Sequence, residues 1–234
     1  MINSVRNTVL SVINKNNYGY ISPSDFNLFA KQAQLDIFED YFYKINYQVN
    51  KENARQSGTG LSDIRKQYDE VVSTFSSTAA LVNAGTNSYT LPADYYLLNV
   101  IQYNTTGSEI EKIAESKIRN LTASTLMAPT TAFPLYVHRG NAIDVYPTTI
   151  IGASDVDAFY IRHPLDPKWT YFTLADGAPV FDETAADYQD FELPMSDEPT
   201  LVAKILEYAG ISIREGDVYT FGNTEEQQET VSEK

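Results

Sequence analysis

The sequence predicts an α+β protein: an N-terminal bundle of long helices, a small antiparallel β part, and a C-terminal helix followed by an extended tail. Three observations carry this. Apolar residues recur at spacings of three and four through the first third of the chain, the period of a helix face. Between Leu97 and Arg162 the pattern turns to alternation, the period of a half-buried strand. The charge then divides the chain. Residues 1–175 hold 16 acids and 14 bases, whereas residues 176–234 hold 15 acids and 3 bases.

Val5, Val9, Val12 and Ile13 give a short amphipathic helix, closed by the polar stretch 14–19. A second helix starts at Ser22-Pro23-Ser24-Asp25. Ser22 caps it, Pro23 suits the first helical position, and Asp25 favours the positive helix end. Its stripe is Phe26, Phe29, Ala30, Ala33, Ile37, Tyr41, Ile45 and Val49, widened by Phe38 and Phe42. No Gly or Pro interrupts Ser24 to Gln56. A helix over residues 23–53 would be about 46 Å long. Gly58-Thr-Gly60 breaks the pattern, and Ser62 caps a third helix carrying Ile64, Tyr68, Val71, Val72 and Phe75. A stripe this wide needs more than one partner, supplied by the C-terminal helix and a neighbouring subunit.

The small polar run 76–90 leads into strands. Leu91-Pro-Ala-Asp94 is a turn, Leu97–Tyr103 a strand, and Glu109–Ile113 an alternating strand. Ser116–Ser124 has room for one or two helical turns. Leu135–His138 and Ala142–Tyr146 flank Arg139-Gly-Asn141 and form a hairpin. Val156–Arg162 is a strand, and Pro167–Thr173 an edge strand. Ser196 caps a helix from Asp197 to about Ile211 with Leu201, Val202, Ile205, Leu206 and Ala209 on one face. Thr224–Lys234, with four Glu and no aromatic ring, has the composition of a disordered tail. The expected organisation is a helical segment 1–85, a β-rich part 86–175, an acidic loop and helix 176–216 packing on the helical bundle, and an extended acidic tail 217–234.

Composition narrows the chemistry. The 234 residues carry a net charge of −14, a poor match to a phosphate backbone. The absence of cysteine excludes disulfides, thiolate metal sites and a Cys nucleophile. It fits a protein made in a reducing cytosol. Met1–Asn14 has one base and no long apolar core, so no signal peptide is expected. No apolar run approaches membrane-spanning length, so no membrane partner is expected. Tyr outnumbers Phe, 17 to 11, as at interfaces.

Motifs for catalysis are missing. There is no phosphate-binding Gly-x-x-x-x-Gly-Lys-Ser/Thr and no Gly-x-Ser-x-Gly elbow. His138 and His163 each adjoin an Arg and lack helical zinc spacing, so both read as structural. Asp182, Glu183, Asp187, Asp190 and Glu192 lack the calcium-loop register and read as a solvated or interface loop, with a divalent site or paired catalytic carboxylates as the alternative. Arg65-Lys66 beside Tyr68 is bracketed by acids and reads as helix surface. No catalytic residue, cofactor site or metal site is therefore assigned. The candidate interface residues are the aromatics set among acids near the end of the chain: Tyr188, Phe191, Tyr219 and Phe221.

The run from Ile13 to Gln34, including Asn-Asn-Tyr-Gly-Tyr-Ile-Ser-Pro-Ser-Asp, resembles virion structural proteins of crAss-like bacteriophages. So do Tyr160-Ile-Arg-His-Pro164, Asp187-Tyr-Gln-Asp-Phe-Glu192 and Leu201-Val-Ala-Lys-Ile-Leu206. The layout, with Leu91-Pro-Ala-Asp-Tyr95 and Ile143-Asp-Val-Tyr-Pro147, is similar to head–tail connector ring (adaptor, or tail-tubular) proteins of short-tailed phages. The resemblance implies an adaptor-like helical bundle and a non-enzymatic structural protein of the virion neck. It implies a closed dodecameric ring of identical subunits that links the portal protein to other neck and tail rings. Viral DNA would pass through the lumen without specific binding. A tail or baseplate-proximal component is the alternative within that class, and a virion hydrolase using residues 182–192 the alternative outside it.

Overall fold

The computed structural model describes residues 1–14, 20–55 and 70–213, together with Thr224. The expectations for the 15–19 loop, the Gly58–Gly60 break, Arg65-Lys66, Tyr219, Phe221 and the tail lie outside those residues. The chain is a mixed α+β protein of two compact units. One unit comprises residues 1–71 and 164–234, and the other residues 72–163. No helix among the described residues is long and apolar enough to cross a membrane.

The first unit contains helix α1 (Ile2–Ile13), helix α2 (Pro23–Arg55), the hairpin of β10 (Tyr171–Thr173) and β11 (Pro179–Phe181), a 3-10 turn (Met195–Asp197) and helix α4 (Glu198–Ile213). Helix α2 begins as its sequence dictates. Pro23 is the first helical residue, and Ser22 Oγ accepts the Asp25 backbone N–H at 3.1 Å and donates to Asp25 Oδ2 at 2.7 Å. Phe26, Ala30, Ala33, Ile37, Phe38 and Tyr41 are buried, and Phe29 and Phe42 are half-buried. Helix α4 buries Leu201, Ile205, Leu206 and Ala209, and packs against α1 and α2. It starts at Glu198 behind the 3-10 turn that contains Ser196, with Gly210 inside the helix.

The expected bundle of long helices is not formed. Among the described residues only α2 is long, and most of the remaining elements are strands. The physical reason lies in what covers the stripe of α2. It is met by α4, which itself packs on α1, and by an irregular segment that brings in Trp169, Phe191 and Leu193, all buried. Gln34, 1% exposed, pins that segment: its amide donates to Leu165 C=O at 2.7 Å and accepts Glu192 N–H at 3.0 Å. The third helix falls mostly outside the described residues, which include only a helical turn over 70–73.

The second unit is built from strands β1 (Ser76–Ala80), β2 (Val82–Asn83), β3 (Ser88–Thr90), β4 (Tyr95–Tyr103), β5 (Ser108–Glu109), β6 (Glu111–Lys112), β7 (Leu135–Arg139), β8 (Ala142–Tyr146) and β9 (Val156–Arg162), with helix α3 (Glu115–Ala123). One sheet has the order β1-β9-β4-β5 and the other β2-β3-β8-β7-β6. Only the β6–β7 pair is parallel among the pairings in these sheets. The two sheets share their outermost segments. Residues 76–83 leave the first sheet and enter the second at Leu81, and residues 108–112 do so at Ile110. The pairing order therefore runs in a closed circuit, with these two segments as corners. Both corner residues are 1% exposed, and their amides stay in register, Leu81 N–H on Val156 C=O and Ile110 N–H on Ile101 C=O, each at 2.8 Å. Inside the circuit pack Tyr89, Leu91, Ile101, Tyr103, Tyr136, Ile143, Val145, Val156, Ala158 and Tyr160.

The expected β7–β8 hairpin is present, with Arg139 paired to Ala142 across a two-residue loop. Gly140 takes φ +58°, a backbone conformation costly for any residue with a Cβ. Helix α3 lies against β7 with Ile118 buried. Arg139 bridges Glu115 at 3.0 Å and Asp144 at 2.8 Å.

Candidate interface site

The acidic stretch 182–192 has local structural work for its carboxylates. Asp182 Oδ1 accepts the Thr184 N–H at 2.9 Å and the Thr184 hydroxyl at 2.6 Å. Asp187 pairs with Lys168, whose hydrogen bond holds the Asp187 carboxyl below the usual range. Glu192 Oε2 accepts the Leu165 N–H at 2.8 Å. Asp190 holds the start of α1: its oxygens accept the Met1 ammonium at 2.8 Å, the Ile2 N–H at 2.7 Å and the Phe191 N–H at 2.8 Å. These acids face different partners, and no group of three His, Asp or Glu side chains among the described residues is placed to hold a metal ion.

Partial burial pushes the Asp190 carboxyl up, but the ammonium and the two amides outweigh it, and the net shift is downward. A carboxylate with a depressed folded pKa contributes stability above its unfolded value, and that contribution is lost as pH falls through the folded value. Asp190→Asn should therefore cost about 1–2 kcal/mol at neutral pH, the charge-assisted range discounted for solvent screening. Urea unfolding at pH 7 and pH 3 checks this. The gap between wild type and variant closes at the acid end, and a gap independent of pH would reject it.

Of the candidate interface residues, Tyr188 and Phe191 stand on this stretch. Tyr188 is half-buried, its ring edge-on to Phe181 at 5.8 Å. Burial first, then the nearby Asp190 and Glu183, push its hydroxyl pKa up. Phe191 is 7% exposed, so its ring belongs to the core of the first unit. Tyr219 and Phe221 lie outside the described residues.

The histidines and Arg6 also have structural surroundings. His163 is exposed; its backbone N–H donates to Asp94 C=O at 2.8 Å, and its ring lies against Tyr96 at 5.0 Å. His138 lies in β7 beside Tyr95, with ring centroids 6.2 Å apart. Arg6 is buried with its guanidinium 3.7 Å from the centre of the Trp169 ring. Desolvation pulls its pKa down, partly countered by Tyr20.

The apolar surface that sequence reading missed lies elsewhere. On the β10–β11 hairpin, Tyr171, Phe172 and Leu174 are all exposed, Phe172 by 50%. In the second unit, the loop between α3 and β7 carries Leu126 at 92% and Phe133 at 80% exposure, with Met127 between them. These border an open groove of about 720 Å³ floored by Ile113, Leu121 and Leu135. The signal in the sequence is Tyr171-Phe172, an adjacent apolar pair on a strand, of which one member must face outward unless both faces are covered. No protein-family model matches this chain, and no curated protein matches it.

Proposed function

We propose that this chain is a structural head–tail connector of a short-tailed phage, a homo-oligomeric ring that links the portal protein to other neck and tail rings. Viral DNA passes through its lumen without specific binding. The observation that carries this reading is the exposed apolar surface on the β10–β11 hairpin and the 124–134 loop. Contiguous patches of this kind mark protein–protein contacts, and a ring needs two unlike patches that meet on neighbouring copies. The resemblance of residues 13–34 and of the segments around 160, 187 and 201 to phage virion proteins supplies the setting, the virion neck. The net charge of −14, multiplied over a ring, gives a negative field that DNA slides past.

Mass measurement of the purified protein, alone and with portal protein, tests this. A ring-sized assembly is expected. A chain that stays monomeric with portal present overturns the reading. Cleavage of glycan or peptide by that monomer, lost in Asp187→Asn, would assign a hydrolase instead.

A further inference from the structure

The β10–β11 hairpin presents one uncovered face. Side chains alternate along a strand, so Tyr171 turns to Trp169, on which it stacks at 5.5 Å, and Phe172 turns the other way. Phe172 is paired across the hairpin with Val180, and Leu174 follows on the same face. The hairpin holds its own shape. Asp182 N–H donates to Thr170 C=O and Leu174 N–H to Ala178 C=O, each at 3.0 Å, and Gly177 turns the tip with φ +85°. Between Trp169 and Phe181 the one charged residue is Asp176, exposed at the tip.

The groove of the second unit is also formed in advance. Helix α3 turns Lys117, Asn120 and Leu121 toward it, at i, i+3 and i+4. The 124–134 loop is braced by its own hydrogen bonds: Met127 N–H on Ser124 Oγ at 3.2 Å, and Thr130 and Phe133 exchanging backbone bonds at 3.1 and 3.3 Å. Leu126 and Phe133 are therefore held outward by the loop's own structure. The volume of about 720 Å³ falls in the range of about 300–1,000 Å³ found for sites that enclose a ligand. Two charged side chains line it, Lys117 on α3 and Glu111 on β6.

Charge decides which surface of a second copy fits. Residues 72–163 hold 7 acids and 5 bases, and the rest of the chain holds 24 acids and 12 bases. First unit against first unit sets two strongly negative surfaces together, whereas first unit against second does not. The hairpin face enters an apolar groove without burying a charge, and its single acid finds a cation on the α3 side, away from Glu111. We propose that the β10–β11 hairpin of one copy seats in the α3–β7 groove of the next, with Phe172 and Leu174 on the apolar floor and Asp176 against Lys117. The inference rests on the ring reading and names its contact, since hairpin and groove are unlike patches and their union is head-to-tail.

The test mixes two full-length variants. Phe172→Asp breaks the hairpin face and leaves the groove, and Leu126→Asp breaks the groove and leaves the hairpin. Both side chains are exposed, by 50% and 92%, and circular dichroism checks both folds. Under conditions where wild type assembles, mass measurement should find each variant monomeric. An equimolar mixture should reach twice the monomer mass and stop there, because one intact hairpin and one intact groove remain. In that mixed pair, Asp176→Lys on the Leu126→Asp copy should weaken binding about threefold, the size of an exposed ion pair, and Lys117→Asp on the other copy should restore it. A variant that still forms ring-sized assemblies, a mixture that stays monomeric, or a charge swap that restores nothing would overturn the docking and leave the ring reading standing. A wild type that stays monomeric with portal protein present removes the ring reading and the docking with it.

Discussion

Trp169→Ala lowers the unfolding free energy of the first unit by about 3–5 kcal/mol, the range for truncating a fully buried large aromatic. Trp169 is 2% exposed and joins distant parts of the chain. Its indole N–H donates to Asn3 Oδ1 at 3.1 Å, and its backbone exchanges hydrogen bonds with the Asn27 amide at 2.8 and 3.2 Å. Its ring stacks on Tyr171 at 5.5 Å and Phe181 at 5.9 Å. On top of it lies Arg6, buried, with Nε meeting no hydrogen-bond partner among the described residues. Removing the indole leaves that cation over a void, so the loss exceeds the area term alone. Urea unfolding followed by far-ultraviolet circular dichroism reads the effect. The double variant Arg6→Met, Trp169→Ala should lose less than the sum of the single variants, because the two side chains share one contact. A Trp169→Ala loss below about 0.5 kcal/mol, typical of surface changes, would refute this account.

Tyr89→Ala should cost the second unit a similar amount, about 3–5 kcal/mol. Tyr89 is 0% exposed at the centre of the closed circuit of strands, and its hydroxyl donates to Gly152 C=O at 3.1 Å. Tyr89→Phe separates the two contributions. It keeps the ring, removes only the hydrogen bond, and should cost about 1 kcal/mol. The same unfolding experiment checks both variants. Equal losses for Phe and Ala would mean that the hydroxyl, and not the ring, holds the strands together.

Local signals in the sequence translate well where one short segment decides the outcome. Ser22-Pro23 starts α2, and Arg139-Gly-Asn141 turns β7 into β8, because capping and turn chemistry involve only neighbouring residues. The apolar stripe of α2 was legible as a stripe, but its width does not name its partner. The C-terminal helix was expected against it and packs there, whereas the buried Trp169, Phe191 and Leu193 come from an irregular segment that carries no helical period. The closed pairing of the strands was hidden for a related reason. The bends at Leu81 and Ile110 use ordinary aliphatic residues, and Ser76 pairs with Ile161 far along the chain. Phe191, a candidate interface residue, is 7% exposed. An aromatic ring among acids looks like surface, yet the acids beside it are turned to backbone amides and a lysine while the ring goes inward.

The pairing of β1 with β9 has a consequence for how the chain is organised. Residues 72–163 enter and leave through neighbouring antiparallel strands, with Phe75 C=O accepting the Arg162 N–H at 3.0 Å. The second unit is thus an insertion whose two ends meet side by side. Such a module can be lengthened, exchanged or removed while the host on either side still needs only a short bridge. The strand unit and the helical unit can each be altered without re-threading the chain of the other.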